Sequence, residues 1–147
     1  MTEISHSETT RTSAADVWAW YADVTRWPRF DGGVRSVQLS GPFASGTKGS
    51  VVLPNGRKVP IRLRDVHEGM SFTDVQRLRG VTVTTQHRLD PDGASTRITH
   101  TVSLSGFFGR LFPRLTTIPV RSSLPASVAR LAVLASRDTT RSDLPLA

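Results

Sequence analysis

Between residues 34 and 104 the sequence falls into six short strand-like runs, several of which alternate apolar and polar side chains, and turn-forming residues separate each run from the next. The runs cover residues 34–39, 50–54, 58–66, 71–78, 81–89 and 95–104. Alternation with a period of two is typical of a strand that buries one face, and connections this short join antiparallel neighbours. The Asn55-Gly56 pair is itself a hairpin signal. The pattern predicts six antiparallel strands, with one more near residues 3–10.

A helix is predicted before this region, in the segment AADVWAWYA at residues 14–22. Its apolar positions share one helical face: Ala14, Val17, Trp18 and Tyr21. Ser13 is a suitable N-cap residue. Because Pro28 disfavours helical geometry at Trp27, the helix should end at or before Arg26.

The period becomes helical again after Gly106, which predicts a long apolar C-terminal helix. The residues that carry this period are Phe107, Phe108, Leu111, Phe112, Leu115, Ile118, Leu124, Val128, Leu131 and Leu134. Pro113, Pro119 and Pro125 interrupt the pattern, so we expect a segmented or kinked helix. Residues 137–147 show no period and are expected to form a loose tail. We therefore expect a single domain over residues 1–136.

Composition narrows the functional class. The 147-residue chain is long enough for one hydrophobic core, and it has no cysteine, which excludes disulfides, thiol catalysis and cysteine-ligated zinc. No apolar run is long enough to span a membrane, and the polar N-terminus lacks the apolar core of a signal peptide. We expect a cytoplasmic protein without membrane insertion.

The formal net charge of +7 raises the question of nucleic-acid binding. The 17 arginines are scattered singly, and the two lysines are Lys48 and Lys58. No basic run interleaved with aromatic residues forms a stripe that could follow phosphates. We therefore expect a solvated basic surface and no nucleic-acid partner.

A meander of strands followed by a long apolar helix favours an α+β fold in which the helix lies across a curled sheet and leaves a cavity. Three segments carry a resemblance to a known superfamily: SAADVWAWYADVTRWPRF, GPFASGTKGSVVLP and the C-terminal apolar helix. Together they resemble the START-like helix-grip superfamily (SRPBCC), in its polyketide cyclase/dehydrase-like branch, over about residues 3–136.

The resemblance implies a seven-stranded curved antiparallel sheet around a long C-terminal helix, with two short helices after the first strand. These short helices would form the mouth of a hydrophobic cavity. Trp27 and Phe30 would then be walls of this mouth, and Trp18 would anchor the helix beneath it.

Strand parity selects the polar groups that face such a cavity. His87 and His100 share the apolar-rich faces of their strands, so both should point inward. Folding the DPDGA turn symmetrically sets His87 near Ile98 and His100 near Thr85, which makes the histidines diagonal neighbours. The same parity places Asp65 inward, where Arg77 on the next strand could pair with it. Burial should keep both histidines neutral at pH 7 unless Asp65 holds a proton on one of them.

The predicted catalytic residues are His87, His100 and Asp65. The predicted ligand-binding residues are Trp27, Phe30, Ile61, Leu63, Arg77, Val83, Thr85, Ile98, Val102, Phe108, Phe112 and Leu115. No metal site is expected, because the two histidines lack acidic or thiol partners at ligand spacing, and no cofactor is expected.

These residues support three hypotheses. The first is a monomeric or homodimeric protein that binds a hydrophobic, partly oxygenated small molecule, polyketide- or lipid-like, and catalyses its cyclisation or dehydration by acid–base chemistry. The second is a non-catalytic carrier or sequestering protein for a hydrophobic metabolite. The third is an RNA- or protein-interaction module that uses the basic surface.

Overall fold

The structure is a computed structural model that describes residues 2–107 and 113–142, with side chains for residues 3–107 and 123–138. The strands are β1 (Thr2–Thr10), β2 (Ser36–Leu39), β3 (Lys48–Val52), β4 (Lys58–His67), β5 (Ser71–Leu78), β6 (Val81–Asp92) and β7 (Ser95–Ser105). The helices are α1 (Ala14–Ala22), α2 (Trp27–Phe30) and α3 (Pro113–Ser142). All seven strands form one antiparallel sheet in the order β1-β7-β6-β5-β4-β3-β2. The predicted helix-grip architecture is confirmed.

Local capping sets the two short helices. The Ser13 side chain accepts a hydrogen bond from the Asp16 amide and caps α1, as predicted. Asp23 follows α1 and caps a 3-10 turn at Val24–Arg26 by accepting from the Thr25 amide. The helix starting at Trp27 carries Pro28 in its first turn, where a missing amide hydrogen costs nothing. Trp27 and Phe30 are thereby placed against α1, where the Phe30 ring lies edge-on to Tyr21.

Helix α3 is continuous from Pro113 to Ser142. Pro119 and Pro125 each remove one amide donor without ending the helix, so these two prolines do not divide it into segments. Residues 108–112, which precede Pro113 in the predicted helical region, lie outside the described residues. The helix also extends past residue 136, where a loose tail was predicted to begin. None of the described helices is long and apolar enough to cross a membrane.

The described part of α3 buries residues three and four positions apart, as expected for an amphipathic helix on a sheet. These residues are Leu124, Val128, Leu131, Ala132 and Ala135. The helix packs against β1, β7 and α1. The buried hydroxyl of Thr10 donates to the backbone oxygen of Ala132 at 2.6 Å, which ties the end of β1 to the helix.

Strand β4 contains a bulge that reverses the predicted direction of Asp65. The β4–β5 pairing shifts between Arg64 and His67, and Asp65 adopts a left-handed backbone conformation with φ of 51°. The Ser45 hydroxyl accepts a hydrogen bond from the Val66 amide at 2.9 Å and supports the bulge. The Asp65 side chain is 71% exposed and lies 3.5 Å from the Arg64 guanidinium. The prediction that Asp65 faces the cavity is wrong, because the bulge breaks the alternation just before it.

The β6–β7 hairpin turns at Gly93 and Ala94, and Asp92 pairs with Ser95. This register sets His87 directly opposite His100, so the predicted diagonal relation is wrong. The turn is centred later in the chain than a symmetric DPDGA loop, because Gly93 takes up the positive φ of 63° that a tight hairpin turn needs. Direct pairing brings the two rings closer than diagonal pairing would.

Candidate functional site: a polar-lined cavity

A cavity of about 180 Å³ lies between α2, α3 and the concave face of the sheet. Its lining residues come from α2 and the segment after it, from β5, β6 and β7, and from α3: Trp27, Phe30, Asp31, Gly33, Val34, Asp74, Gln76, Val83, Thr85, His87, His100, Val102, Ser123, Leu124 and Ser127. Gly33 and Ser123 are the exposed members of this set. The cavity therefore opens between Gly33, in the segment after α2, and Ser123 on α3.

Two aromatic side chains form the wall beside the opening. Trp27 and Phe30 are both about 4% exposed and both line the cavity. The Trp27 indole donates a hydrogen bond to the Tyr21 backbone oxygen at 2.9 Å, which fixes the ring against α1. Trp18 lies underneath, edge-on to Tyr21 and Phe72, and does not line the cavity. The short helices thus supply a rigid apolar wall.

His100 is held by a buried tyrosine. The Tyr21 hydroxyl lies 2.7 Å from Nε2 of His100, and both side chains are buried. Burial, followed by the charge of His6, lowers the pKa of His100 to about 3, and burial raises the pKa of Tyr21 well above its usual value. Both groups are therefore neutral at pH 7. One proton lies between them, donated by the phenol when the imidazole carries its hydrogen on Nδ1.

The His87 ring packs against the rings of Phe72 and His100, and one of its nitrogen atoms is buried. Its ring stacks on Phe72 at a centroid distance of 4.0 Å and meets the His100 ring edge-on at 4.5 Å. Burial, followed by the charge of His100, lowers the pKa of His87 well below its usual value. Its Nδ1 atom is buried without a hydrogen-bond partner among the described residues. A backbone hydrogen bond with Phe72 acts on the imidazole in the opposite direction and raises its pKa. The Nδ1 side of the ring is packed in the core, and Nε2 is the atom beside Asp74 of the cavity wall.

Asp74 is the second unusual group. Its carboxyl is 4% exposed, and one oxygen lies 3.6 Å from Nε2 of His87. Burial raises the pKa of Asp74 to about 8, and the carboxyl of Asp31 on the opposite wall adds to the shift. The pKa of Asp31 is itself raised by burial. A long contact with the Gln76 amide, at 3.5 Å, stabilises the charged form only weakly.

The distance between Asp74 and His87 alone would suggest an ion pair. The pKa of the acid lies above 7 and that of the imidazole lies well below 7, so neither group is charged at neutral pH. We therefore describe the pair as a carboxylic acid beside a neutral imidazole. A carboxylic acid kept neutral by its surroundings can donate a hydrogen bond into the cavity.

The predicted site residues fall into four groups. Seven line the cavity: Trp27, Phe30, Val83, Thr85, His87, His100 and Val102. Three are core residues that do not line it: Ile61, Leu63 and Ile98. Asp65 and Arg77 lie on the outer surface, Arg77 because it shares its face of β5 with Val75 and not with Asp74. Phe108 and Phe112 lie outside the described residues, as does the side chain of Leu115.

Three functional side chains were missed from the sequence: Asp74, Asp31 and Tyr21. Parity could have found Asp74, because it shares its face of β5 with Phe72 and Gln76. Tyr21 was recognised only as part of the apolar face of a helix, and its contact with His100 depends on the packing of α1 against the sheet. Asp31 follows α2 directly, in a segment without periodicity. Among the residues that the structure describes, no group of three or more His, Cys, Asp or Glu could hold a metal ion.

The sequence matches one family model, and the fold is similar to several solved structures. The sequence model of one family, described as polyketide cyclase / dehydrase and lipid transport, matches residues 1–135. The crystal structure of TTHA0849 from Thermus thermophilus is similar with a TM-score of 0.73 and 14% identity, covering 93% of this chain and 99% of that one. Norcoclaurine synthase from Thalictrum flavum has a TM-score of 0.64 and 18% identity, covering 90% of this chain and 85% of that one.

A third similar structure is DynU16, a protein of the dynemicin biosynthetic locus, with a TM-score of 0.70 and 17% identity. The match covers 88% of this chain and 45% of DynU16. Identities this low show a shared fold alone. No curated protein sequence matches the chain.

Proposed function

The chain belongs to the polyketide cyclase/dehydrase and lipid transport family, and we propose that it binds a compact hydrophobic molecule carrying at least one oxygen atom in the cavity beside α2. The observation that carries the proposal is the neutral Asp74–His87 pair in a cavity wall that combines further polar groups with the apolar side chains of Trp27, Phe30, Val34, Val83, Val102 and Leu124. Ligand pockets are mostly apolar, with a few polar groups that orient the ligand. Buried polar groups without full hydrogen bonding gain most when a ligand supplies the missing partner.

The size of the cavity supports a compact ligand. An enclosed apolar cavity of roughly 150 Å³ accommodates benzene, and the volume here is about 180 Å³. A single substituted ring fits this space, whereas a long acyl chain would extend through the opening near Gly33 and Ser123. The ligand is therefore held by Trp27 and Phe30 on one side and by the sheet on the other.

The polar groups favour an uncharged ligand oxygen. The neutral Asp74 carboxyl can donate to a carbonyl or hydroxyl oxygen, and His87, which lines the cavity beside it, can donate or accept according to its tautomer. No Lys or Arg is among the described residues that line the cavity, so a ligand carboxylate would be buried there without an opposite charge. We expect ketones, phenols or alcohols to bind better than acids of the same size.

The first experiment locates the ligand with tryptophan indole signals. The chain has three tryptophans, so a ¹H–¹⁵N NMR spectrum shows three indole N–H signals. Acetophenone is a suitable probe because it is a single ring bearing a ketone. It should shift the Trp27 signal, and Trp27→Ala should weaken its binding. Trp20 is the internal control, since it is packed under Arg26 and Arg29 and does not line the cavity. Unchanged indole signals, or equal shifts at Trp20 and Trp27, would contradict the proposal.

Proton transfer is a second candidate function, favoured by the pKa of Asp74 near 8. An acid with a pKa close to the working pH can both give and take a proton. In this reaction Asp74 gives its proton to the ligand carbonyl oxygen while His87 takes a proton from the carbon beside it, which produces an enol. The resulting carboxylate and imidazolium stabilise each other at the 3.6 Å separation seen here.

The test of proton transfer is exchange of the methyl protons of acetophenone for deuterium in heavy water. Wild-type protein should exchange them faster than buffer, and His87→Phe and Asp74→Leu should each remove the acceleration. Binding without any acceleration would identify a non-catalytic carrier instead.

Cytoplasmic location and a monomeric or homodimeric state stay predictions, which fractionation of the native host and analytical ultracentrifugation would test.

A further inference from the structure

The outer face of the sheet carries a basic groove on the side opposite the cavity. Four cationic side chains surround it: Lys48 on β3, Arg62 and Arg64 on β4, and Arg77 on β5. The groove has a volume of about 570 Å³, and Pro60 and Val75 supply apolar surface between the charges. Alternation along β5 separates the two sites, because Asp74 and Gln76 line the cavity while Val75 and Arg77 line the groove.

The positive charges of this groove are largely uncompensated. Lys48 and Arg62 are directly opposite each other in the β3–β4 ladder, and both are exposed. Like charges opposite each other in a sheet are destabilising. Only Arg64 has an acidic partner, at 3.5 Å from Asp65. Lys48, Arg62 and Arg77 form no ion pair with any residue that the structure describes. The arrangement lowers the stability of the isolated protein and suits an anionic partner.

We propose that this groove docks an acidic segment of another protein. Carboxylates of the segment pair with Arg62, Arg77 and Lys48, and an apolar side chain of the segment rests on Val75 and Pro60. Charge complementarity of this kind increases the association rate and the specificity of a protein contact. The proposal concerns the outer face and does not depend on what the cavity binds.

The composition of the groove favours a protein over a nucleic acid. Proteins that bind single strands combine positive charge with aromatic side chains on which bases stack. No aromatic residue lines this groove. The uncharged side chains at its surface are instead those of Pro60 and Val75, which suit aliphatic side chains.

The experiment compares two double variants of equal charge. Arg62→Gln with Arg77→Gln removes two cations from the groove. Arg88→Gln with Arg97→Gln is the control for net charge, because both arginines are exposed on the same outer face, on β6 and β7, outside the groove. Arg88 differs from the groove arginines in that it pairs with Asp90 at 3.1 Å. The probe is a fluorescein-labelled peptide that alternates glutamate with leucine, and binding is followed by fluorescence anisotropy at several salt concentrations.

We expect the groove variant to weaken peptide binding about tenfold, the effect of losing two solvent-exposed ion pairs of about 0.7 kcal/mol each. The control variant should change it less than about twofold, and the groove variant should also show a smaller dependence on salt. Equal losses in the two variants would overturn the proposal, because they would show attraction by net charge alone.

Two further arms distinguish other partners. A single-stranded oligonucleotide with the same number of negative charges should bind more weakly than the peptide, as should vesicles containing phosphatidylserine. Tighter binding of either, with the same sensitivity to the groove variant, would replace the acidic protein by a nucleic acid or a membrane and overturn the proposal as stated.

Thermal unfolding supplies an independent readout, because Arg62→Gln relieves the repulsion with Lys48 and should leave the melting temperature unchanged or raised. A lowered melting temperature would contradict the repulsion on which the proposal rests.

Discussion

Asp74 should make this protein less stable as the pH rises above neutrality. Its pKa is 3.8 in an unfolded chain and about 8 in the fold, so between these values the native state holds a proton that the unfolded chain has released. The contribution of Asp74 to stability therefore falls with rising pH by about 1.4 kcal/mol per pH unit over this range. Asp31, whose pKa is also raised, acts in the same direction.

The two buried histidines act in the opposite direction. The pKa of His87 lies well below 6.5 and that of His100 is about 3, so below pH 6.5 the unfolded chain takes up protons that the native state excludes. Two histidines outweigh Asp74 in this range, and stability falls as the pH drops. Asp74 and the two histidines together place the stability maximum near pH 6.5, with a loss of about 1 kcal/mol from there to about pH 8.

Urea unfolding at a series of pH values measures this profile directly. Asp74→Asn keeps the size of the side chain but cannot ionise, so most of the decline between pH 6.5 and 8 should disappear. Asp65→Asn is the matched control, because Asp65 is exposed and asparagine tolerates its left-handed backbone. It should leave the profile unchanged. A wild-type profile that is flat above pH 6.5, or a decline that persists in Asp74→Asn, would show that Asp74 is ionised in the fold and refute the neutral pair.

Two further substitutions test the packing that positions the site. Tyr21→Phe removes the hydroxyl beside His100 and leaves a buried ring nitrogen without its partner, which should lower the free energy of unfolding by about 1–3 kcal/mol in urea titrations; an unchanged value would mean that the bond contributes nothing. Gly49→Ala places a methyl group 2.1 Å from the Gln38 backbone oxygen, so the β2–β3 pair must move apart at a cost of about 1–3 kcal/mol. Gly32→Ala is its control, since the added group meets nothing within 4 Å, and equal effects of the two would contradict the close approach.

The fold was predictable because its signal is repeated in every element. Several strands show period-two alternation, and the turns between consecutive strands of the meander carry glycine or proline, so an error in one boundary did not disturb the others. The hairpin register was less predictable. A shift of the turn centre by one residue moved His100 from the diagonal to the direct position opposite His87, and only the backbone of Gly93 decides between these registers.

The site was predictable only where alternation is unbroken. His87 and His100 lie on regular parts of β6 and β7, and parity placed both inside. Alternation in the sequence predicts that Asp65 faces inward, but Asp65 itself adopts a left-handed backbone conformation at the bulge and faces outward. Asp74 obeys the rule and was overlooked, because it stands near Thr73, Gln76 and Arg77 in a run of mixed polarity, where an acid resembles a surface position until its burial is known. Tertiary packing alone brought Tyr21 to His100.

The central claim is that neutral polar groups in the cavity recognise an oxygen atom on a compact apolar ligand. The most direct measurement compares acetophenone with α-methylstyrene, which replaces the carbonyl oxygen by a methylene group of similar shape. Calorimetry would give both affinities for the wild-type protein and for Asp74→Leu. Because each ligand is compared with itself in the two proteins, differences in its own transfer from water cancel. We expect the preference for acetophenone to drop by roughly fivefold to tenfold in Asp74→Leu, the value of one buried hydrogen bond of about 1–1.4 kcal/mol. An unchanged preference, or no binding of either compound to the wild-type protein, would contradict the account.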